Sequence, residues 1–110
     1  MYKNYSIRYT QHSQMDVINM RQYILKEFKY LELVDNFDKK ISNAIKKILN
    51  APRIYRPTEF WYRGYKIYMR CVETYLFFYI VEDVTVVMLR VLQNRMNWKY
   101  IIGLWIKQND

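Results

Sequence analysis

The segment Tyr75-Leu76-Phe77-Phe78-Tyr79-Ile80-Val81-Glu82-Asp83-Val84-Thr85-Val86-Val87-Met88-Leu89-Arg90-Val91-Leu92 decides the fold. Two apolar runs, 75–81 and 84–92, meet at the acidic pair Glu82-Asp83. Both are rich in Val, Ile, Phe and Tyr, residues that suit a pleated surface. Each is far short of the roughly 20 apolar residues of a membrane helix, and no helix fits in the join. The pair reads as an antiparallel hairpin. Just upstream, Tyr62-Arg63-Gly64-Tyr65-Lys66-Ile67-Tyr68-Met69-Arg70 reads as a further strand, a stiff scaffold for the cations Arg63, Lys66 and Arg70.

Outward from this core, residues 2–9 alternate. Tyr5, Ile7 and Tyr9 point one way and Asn4, Ser6 and Arg8 the other, as in a half-buried strand. Thr10 and Ser13 are capping types, and Ser13-Gln14-Met15-Asp16 fits the reciprocal capping box. A helix is expected from there to about Lys29, with the apolar stripe Val17, Met20, Ile24, Phe28 and Leu31. After a short break at residues 33–35, a second helix runs to about Asn50. It buries Val34, Phe37, Ile41, Ala44, Ile45 and Ile48 and leaves Lys39, Lys40, Lys46 and Lys47 in solvent. Pro52 and Pro57 end helical structure and enclose the basic loop Arg53-Ile54-Tyr55-Arg56. Downstream, Trp98, Ile101, Ile102 and Trp105 recur at helical spacing.

The expected order is β-α-α-β-β-β-α, an α+β fold in which a small, mostly antiparallel sheet packs against an N-terminal helical hairpin. Residues 1–110 read as a single domain, long enough to bury about two-thirds of its unfolded surface. The helices should cover one face of the sheet and leave the opposite face, with Arg63, Lys66 and Arg70, open.

The net charge is +8, and each half of the chain carries nine Lys/Arg against five Asp/Glu, so the excess belongs to the folded body. Such a surface favours nucleic acid or an acidic protein. Twelve tyrosines add rings that can stack on bases or anchor a partner. The first 20 residues hold no apolar core of signal-peptide type, and a cytoplasmic protein without membrane association is expected. With one His (His12) and one Cys (Cys71), no zinc site of usual spacing exists. Only Gly64 and Gly103 are present, too few for a phosphate-cradling loop, and no cofactor is expected.

Element order and residues together resemble the RelE/ParE superfamily of type II toxin–antitoxin toxins, over residues 5–102. The resemblance is carried by Tyr5-Ser6-Ile7-Arg8-Tyr9-Thr10, by residues 45–52 closing the second helix, and by residues 62–70 and 75–83. It ends with Arg90-Val91-Leu92-Gln93-Asn94-Arg95-Met96-Asn97-Trp98. It implies a small basic toxin neutralised by a cognate acidic antitoxin. RelE-like members cleave messenger RNA in the ribosomal A site, and ParE-like members poison DNA gyrase. A non-toxic basic nucleic-acid-binding module is the alternative.

Attack of a 2′-OH on the neighbouring phosphate needs a base, cations for the crowded phosphorane and an acid for the leaving oxygen. By resemblance to RelE-like toxins, the candidate catalytic residues are Lys66, Arg70, Arg95 and Tyr100. Arg63, Tyr68, Arg90, Arg53 and Arg56 are candidates for RNA or target binding. The set is incomplete: Tyr68 and Leu76 stand where those toxins carry basic residues, and a leucine cannot stabilise a phosphorane. Arg90–Trp98 looks more like the ParE-like branch, whose members carry an Arg-Val-Leu run before a short basic loop and a Trp. Messenger RNA and gyrase both stay open as targets at this point.

Overall fold

A computed structural model describes residues 4–110. Along the chain lie β1 (Ser6–Tyr9), α1 (Gln11–Phe28), α2 (Leu31–Asn50), β2 (Arg56–Tyr62), β3 (Tyr65–Val72), β4 (Tyr75–Glu82), β5 (Thr85–Gln93) and α3 (Trp98–Asn109). The five strands lie in the order β1-β5-β4-β3-β2. β1 runs parallel to β5 and every other pairing is antiparallel. The α+β class and the helical hairpin are as expected. The Tyr2 and Lys3 end of the expected first strand lies outside the described residues.

One strand escaped the sequence reading. Arg56–Tyr62 is β2, at the edge of the sheet, and the strand expected from Tyr62 starts instead at Tyr65. Pro57 argued for a loop, but an edge strand tolerates a residue without an N–H donor. Arg63 and Gly64, at φ 50° and 85°, form the tight turn between β2 and β3. The β2–β3 register shifts between Pro57 and Trp61. There the buried Thr58 hydroxyl bridges the irregularity, donating to the Ile67 carbonyl at 2.8 Å and accepting from the Phe60 N–H at 3.1 Å.

The helix boundaries also moved. Thr10, not Ser13, caps α1: its hydroxyl accepts from the Ser13 N–H at 3.0 Å. Asp16, expected in a capping box, reaches instead to β5. The break falls at Lys29 and Tyr30, with Lys29 in the left-handed region at φ 57°. Phe28 and Leu31, assigned to the buried stripe, are 51% and 71% exposed, on either side of the turn between the two helices. The α2 stripe is buried at Val34, Phe37, Ile41, Ala44 and Ile48.

Two apolar layers enclose the sheet. On one face α1 and α2 cover Phe77, Tyr79, Val81, Val86, Met88 and Val91, with Tyr5 and Ile7 of the N-terminal strand region at the margin. On the other, α3 brings Ile102 and Trp105 onto Tyr62, Ile67, Met69, Phe78, Ile80 and Leu89. Each large side chain so buried contributes about 1.5–3 kcal/mol. The face expected to stay open is therefore the one α3 covers.

Between Phe78/Arg90 and Tyr79/Met88 the β4–β5 register shifts, leaving Leu89 as an extra residue in β5. Such a bulge frees backbone groups that the ladder would otherwise pair. Here α1 satisfies them. The Thr10 hydroxyl donates to the Leu89 carbonyl at 2.8 Å, and the Asp16 carboxylate accepts from the Val91 N–H at 2.9 Å. The same carboxylate takes two bonds from the Arg90 guanidinium, both at 2.8 Å.

Candidate functional site

Side chains on β3 alternate between the two layers. Ile67 and Met69 go under α3, which sends Lys66, Tyr68 and Arg70 to the helical-hairpin face. α1 and α2 cover the β4 and β5 part of that face, the β3 side chains beside them are half-buried, and Trp61 of the edge strand is exposed. The expectation that Arg63, Lys66 and Arg70 project together from an open face opposite the helices is corrected: Lys66 and Arg70 are half-buried on the helical-hairpin side, and Arg63 lines a hollow on the α3 side.

Two residues that were not among the sequence candidates for the site complete this surface. Trp61 lies across β2–β3 from Lys66, is 56% exposed, and has the Lys66 ammonium 4.8 Å from its ring centre. Tyr55 carries the Arg70 guanidinium at 4.9 Å, and Arg70 also donates to the Ala44 carbonyl of α2 at 2.8 Å. Between these pairs, Tyr68 stacks on the buried Tyr79 with ring centres 5.8 Å apart. Tyr79 donates to the Pro52 carbonyl at 2.6 Å. Burial pushes its phenol well above the ordinary value of 10, and the neighbouring Tyr55 and Tyr68 add to the shift while Arg70 opposes it. Tyr79 is thus a fixed donor that holds the loop after α2 in place. The signal for Trp61 was the aromatic, Thr-containing run from Arg56 to Tyr62, masked by Pro57.

The remaining candidates scatter. Arg53 donates to the Tyr5 hydroxyl at 3.0 Å, and Arg56 is exposed at the start of β2. Arg63 lies in the hairpin turn with its guanidinium 5.1 Å from the Tyr62 ring. It lines an open hollow of about 350 Å³ with Arg8, Tyr65 and Glu82, on the face floored by Ile80 and Val87. Arg90 is committed to Asp16 inside the molecule, the two side chains only 18% and 13% exposed. Arg95 is in the loop before α3, bonded to the Gln93 side chain at 2.8 Å. Tyr100 is exposed on the first turn of α3, across the sheet from Lys66. Leu76 is buried under α3.

The RelE-like set therefore does not converge. Gln93 pairs with Tyr75, and Tyr75 with Val72. Val72 lies six residues along β3 from Lys66, about 20 Å at the rise of a strand. Arg95, two residues beyond Gln93, is at that far end. Lys66 and Arg95 cannot grip one phosphate.

Among the described residues no group of three or more His, Cys, Asp or Glu could hold a metal ion, and no helix is long and apolar enough to cross a membrane. His12 is exposed, its ring edge-on to Trp105 at 6.0 Å, and Cys71 is a free, exposed thiol at the end of β3.

Comparison with known proteins agrees with the architecture. The structure of a chromosomal ParDE toxin–antitoxin system from P. aeruginosa superimposes with a TM-score of 0.67 at 14% identity. The match covers 82% of this chain and 96% of that one. The RelBE2 toxin–antitoxin complex of Mycobacterium tuberculosis gives 0.58 at 20% identity, covering 84% and 93%. These identities establish likeness of fold. No curated protein matches the sequence significantly. The profile of the family described as ParE toxin of type II toxin-antitoxin system, parDE, matches residues 7–98. The chain belongs to the ParE toxin family.

Proposed function

We propose that this toxin arrests growth by engaging DNA gyrase, not by cutting messenger RNA, and that a cognate acidic antitoxin protein neutralises it. The observation that carries the choice of target is the dispersal of the RelE-like residues. Lys66 and Arg70 face the helical hairpin, Arg95 lies about 20 Å down the sheet, and Tyr100 sits on the helix of the opposite face. Arg90 is tied to Asp16, and Leu76 is core. A phosphorane needs its cations and its acid and base within hydrogen-bond reach of one group. Toxicity through a protein target needs only a complementary surface. The family profile and the fold shared with toxins of known complexes support an antitoxin partner.

The test is a pair of assays on one preparation. Purified toxin is titrated into gyrase with plasmid DNA, and into a translating extract with a defined message. The expected result is accumulation of cleaved DNA complexes with intact message, and, in cells, growth arrest that a co-expressed antitoxin relieves. A-site cleavage that Lys66→Ala and Arg95→Ala abolish, with gyrase unaffected, overturns the reading.

A further inference from the structure

Large apolar side chains around the turn between α1 and α2 stay in solvent: Phe28 is 51% exposed, Tyr30 68%, Leu31 71% and Leu33 39%. Beside them Ile24, Phe28, Leu33, Phe37 and Tyr75 line an open hollow of about 370 Å³. The neighbouring charges are of both signs, Lys26 and Lys29 against Glu27, Glu32 and Asp35. None of these five is in an ion pair among the described residues. Residues 22–36 thus hold two Lys/Arg and three Asp/Glu, whereas the rest of the chain holds sixteen and seven, a net +9. The turn is a nearly neutral, apolar patch on a strongly basic body.

We propose that two copies of this chain associate through these turns as a two-fold symmetric dimer. The patch carries both a knob and a hollow: Tyr30 and Leu31 stand in the turn, and Phe28 and Leu33 on either side of them line the hollow. Such a patch is self-complementary, so the knob of each copy can enter the hollow of the other and the contact closes as a pair. The rim matches itself in the same way, because lysines of one copy face carboxylates of the other around an apolar centre. Charge selects the partner. An acidic antitoxin is drawn to the basic body, whereas two copies meet with least repulsion where each is neutral. The area agrees. The four exposed side chains offer about 450 Å² of apolar surface per copy. With the rim, the total over two copies passes the roughly 1,000 Å² of a specific interface. A contact at that low end suits a dimer of about micromolar Kd.

The inference does not rest on the choice of target, and its test is separate. Sedimentation equilibrium of the purified whole chain, from about 1 to 200 µM, spans the expected Kd. A reducing buffer keeps the exposed Cys71 thiol from cross-linking copies. Expected is a shift with concentration from the 13.8 kDa monomer to twice that mass. Association should hold or tighten as salt rises, since screening relieves repulsion between the basic bodies. Leu31→Glu should keep the chain monomeric throughout, and Leu31→Ala should raise Kd about tenfold. Trp61→Ala, on the exposed edge strand, should change nothing. Leu31 is at the surface, and circular dichroism of each variant separates lost association from lost fold. A parent that stays monomeric at every concentration overturns the proposal, as does a dimer that both Leu31 variants leave intact or that added salt dissolves. Antitoxin binding that Leu31→Glu abolishes, with the free parent monomeric, assigns the patch to the antitoxin and overturns it as well. Gyrase poisoning is read on the same variants, so failure of the dimer and failure of the gyrase reading stay distinguishable.

Discussion

Replacement of Asp16 by alanine should cost about 3 kcal/mol, a large share of the ~5–15 kcal/mol that holds a domain together. Three hydrogen bonds end on that carboxylate: two from Arg90 and one from the Val91 N–H beside the β5 bulge. Removing one partner of a buried pair costs about 3–5 kcal/mol, because the other charge is left uncompensated. The pair retains 18% and 13% exposure, so water recovers part of that loss and the lower end applies. An unfolding entropy of about 2.1 cal/mol/K per residue gives ~0.23 kcal/mol/K for this chain, hence a Tm lower by roughly 13 °C. Urea unfolding followed by tryptophan fluorescence reads the change. The double-mutant cycle with Arg90→Met is decisive. Once no charge is buried alone, the double variant should be at least ~1.5 kcal/mol more stable than the sum of the single losses predicts. A loss under ~1 kcal/mol for Asp16→Ala, with additive single effects, would refute the argument that this pair and the bulge dock α1 on the sheet.

Two further substitutions probe other parts of the fold. Tyr79→Phe should cost about 1 kcal/mol at neutral pH, since the Pro52 carbonyl loses its donor. Burial raises the native phenol above its unfolded value near 10, so its contribution is full below about pH 10 and is lost as pH rises through the native pKa. Urea midpoints at pH 8 and pH 11 should fall further for the parent than for Tyr79→Phe; equal falls contradict this. Gly103→Ala in α3 should stabilise by about 0.5–1 kcal/mol, because the added methyl meets Phe60 at an ordinary 3.6 Å and helix propensity improves. A lowered melting temperature would show that α3 and Phe60 cannot accept it.

The hairpin 75–92, the α2 stripe and the α3 spacing were legible because their periods are strong and local. Arg56–Tyr62 was not. Its proline is allowed only by an edge position, and an edge is a property of the assembled sheet. The helix break was misplaced for a similar reason: Phe28 and Leu31 continue the apolar spacing, yet they flank the turn between the helices and stay mostly exposed. Asp16 satisfied the spacing of a capping box, but a bulge 73 residues away at Leu89 offered it a guanidinium and a free N–H.

For the candidate site the division is the same. Composition alone determined that the folded body is basic and rich in rings, but the expected grouping of Arg63 with Lys66 and Arg70 on one face fails, because Arg63 lies in the turn and lines the α3 side. Which side each cation takes, how much of it the helices leave uncovered, and which cations already have a carboxylate were decided only by tertiary structure. Burial and ion pairing depend on neighbours distant in sequence: Arg90 and Lys66 are both cations on strands, and only packing gives Arg90 a carboxylate while it leaves Lys66 over the Trp61 ring.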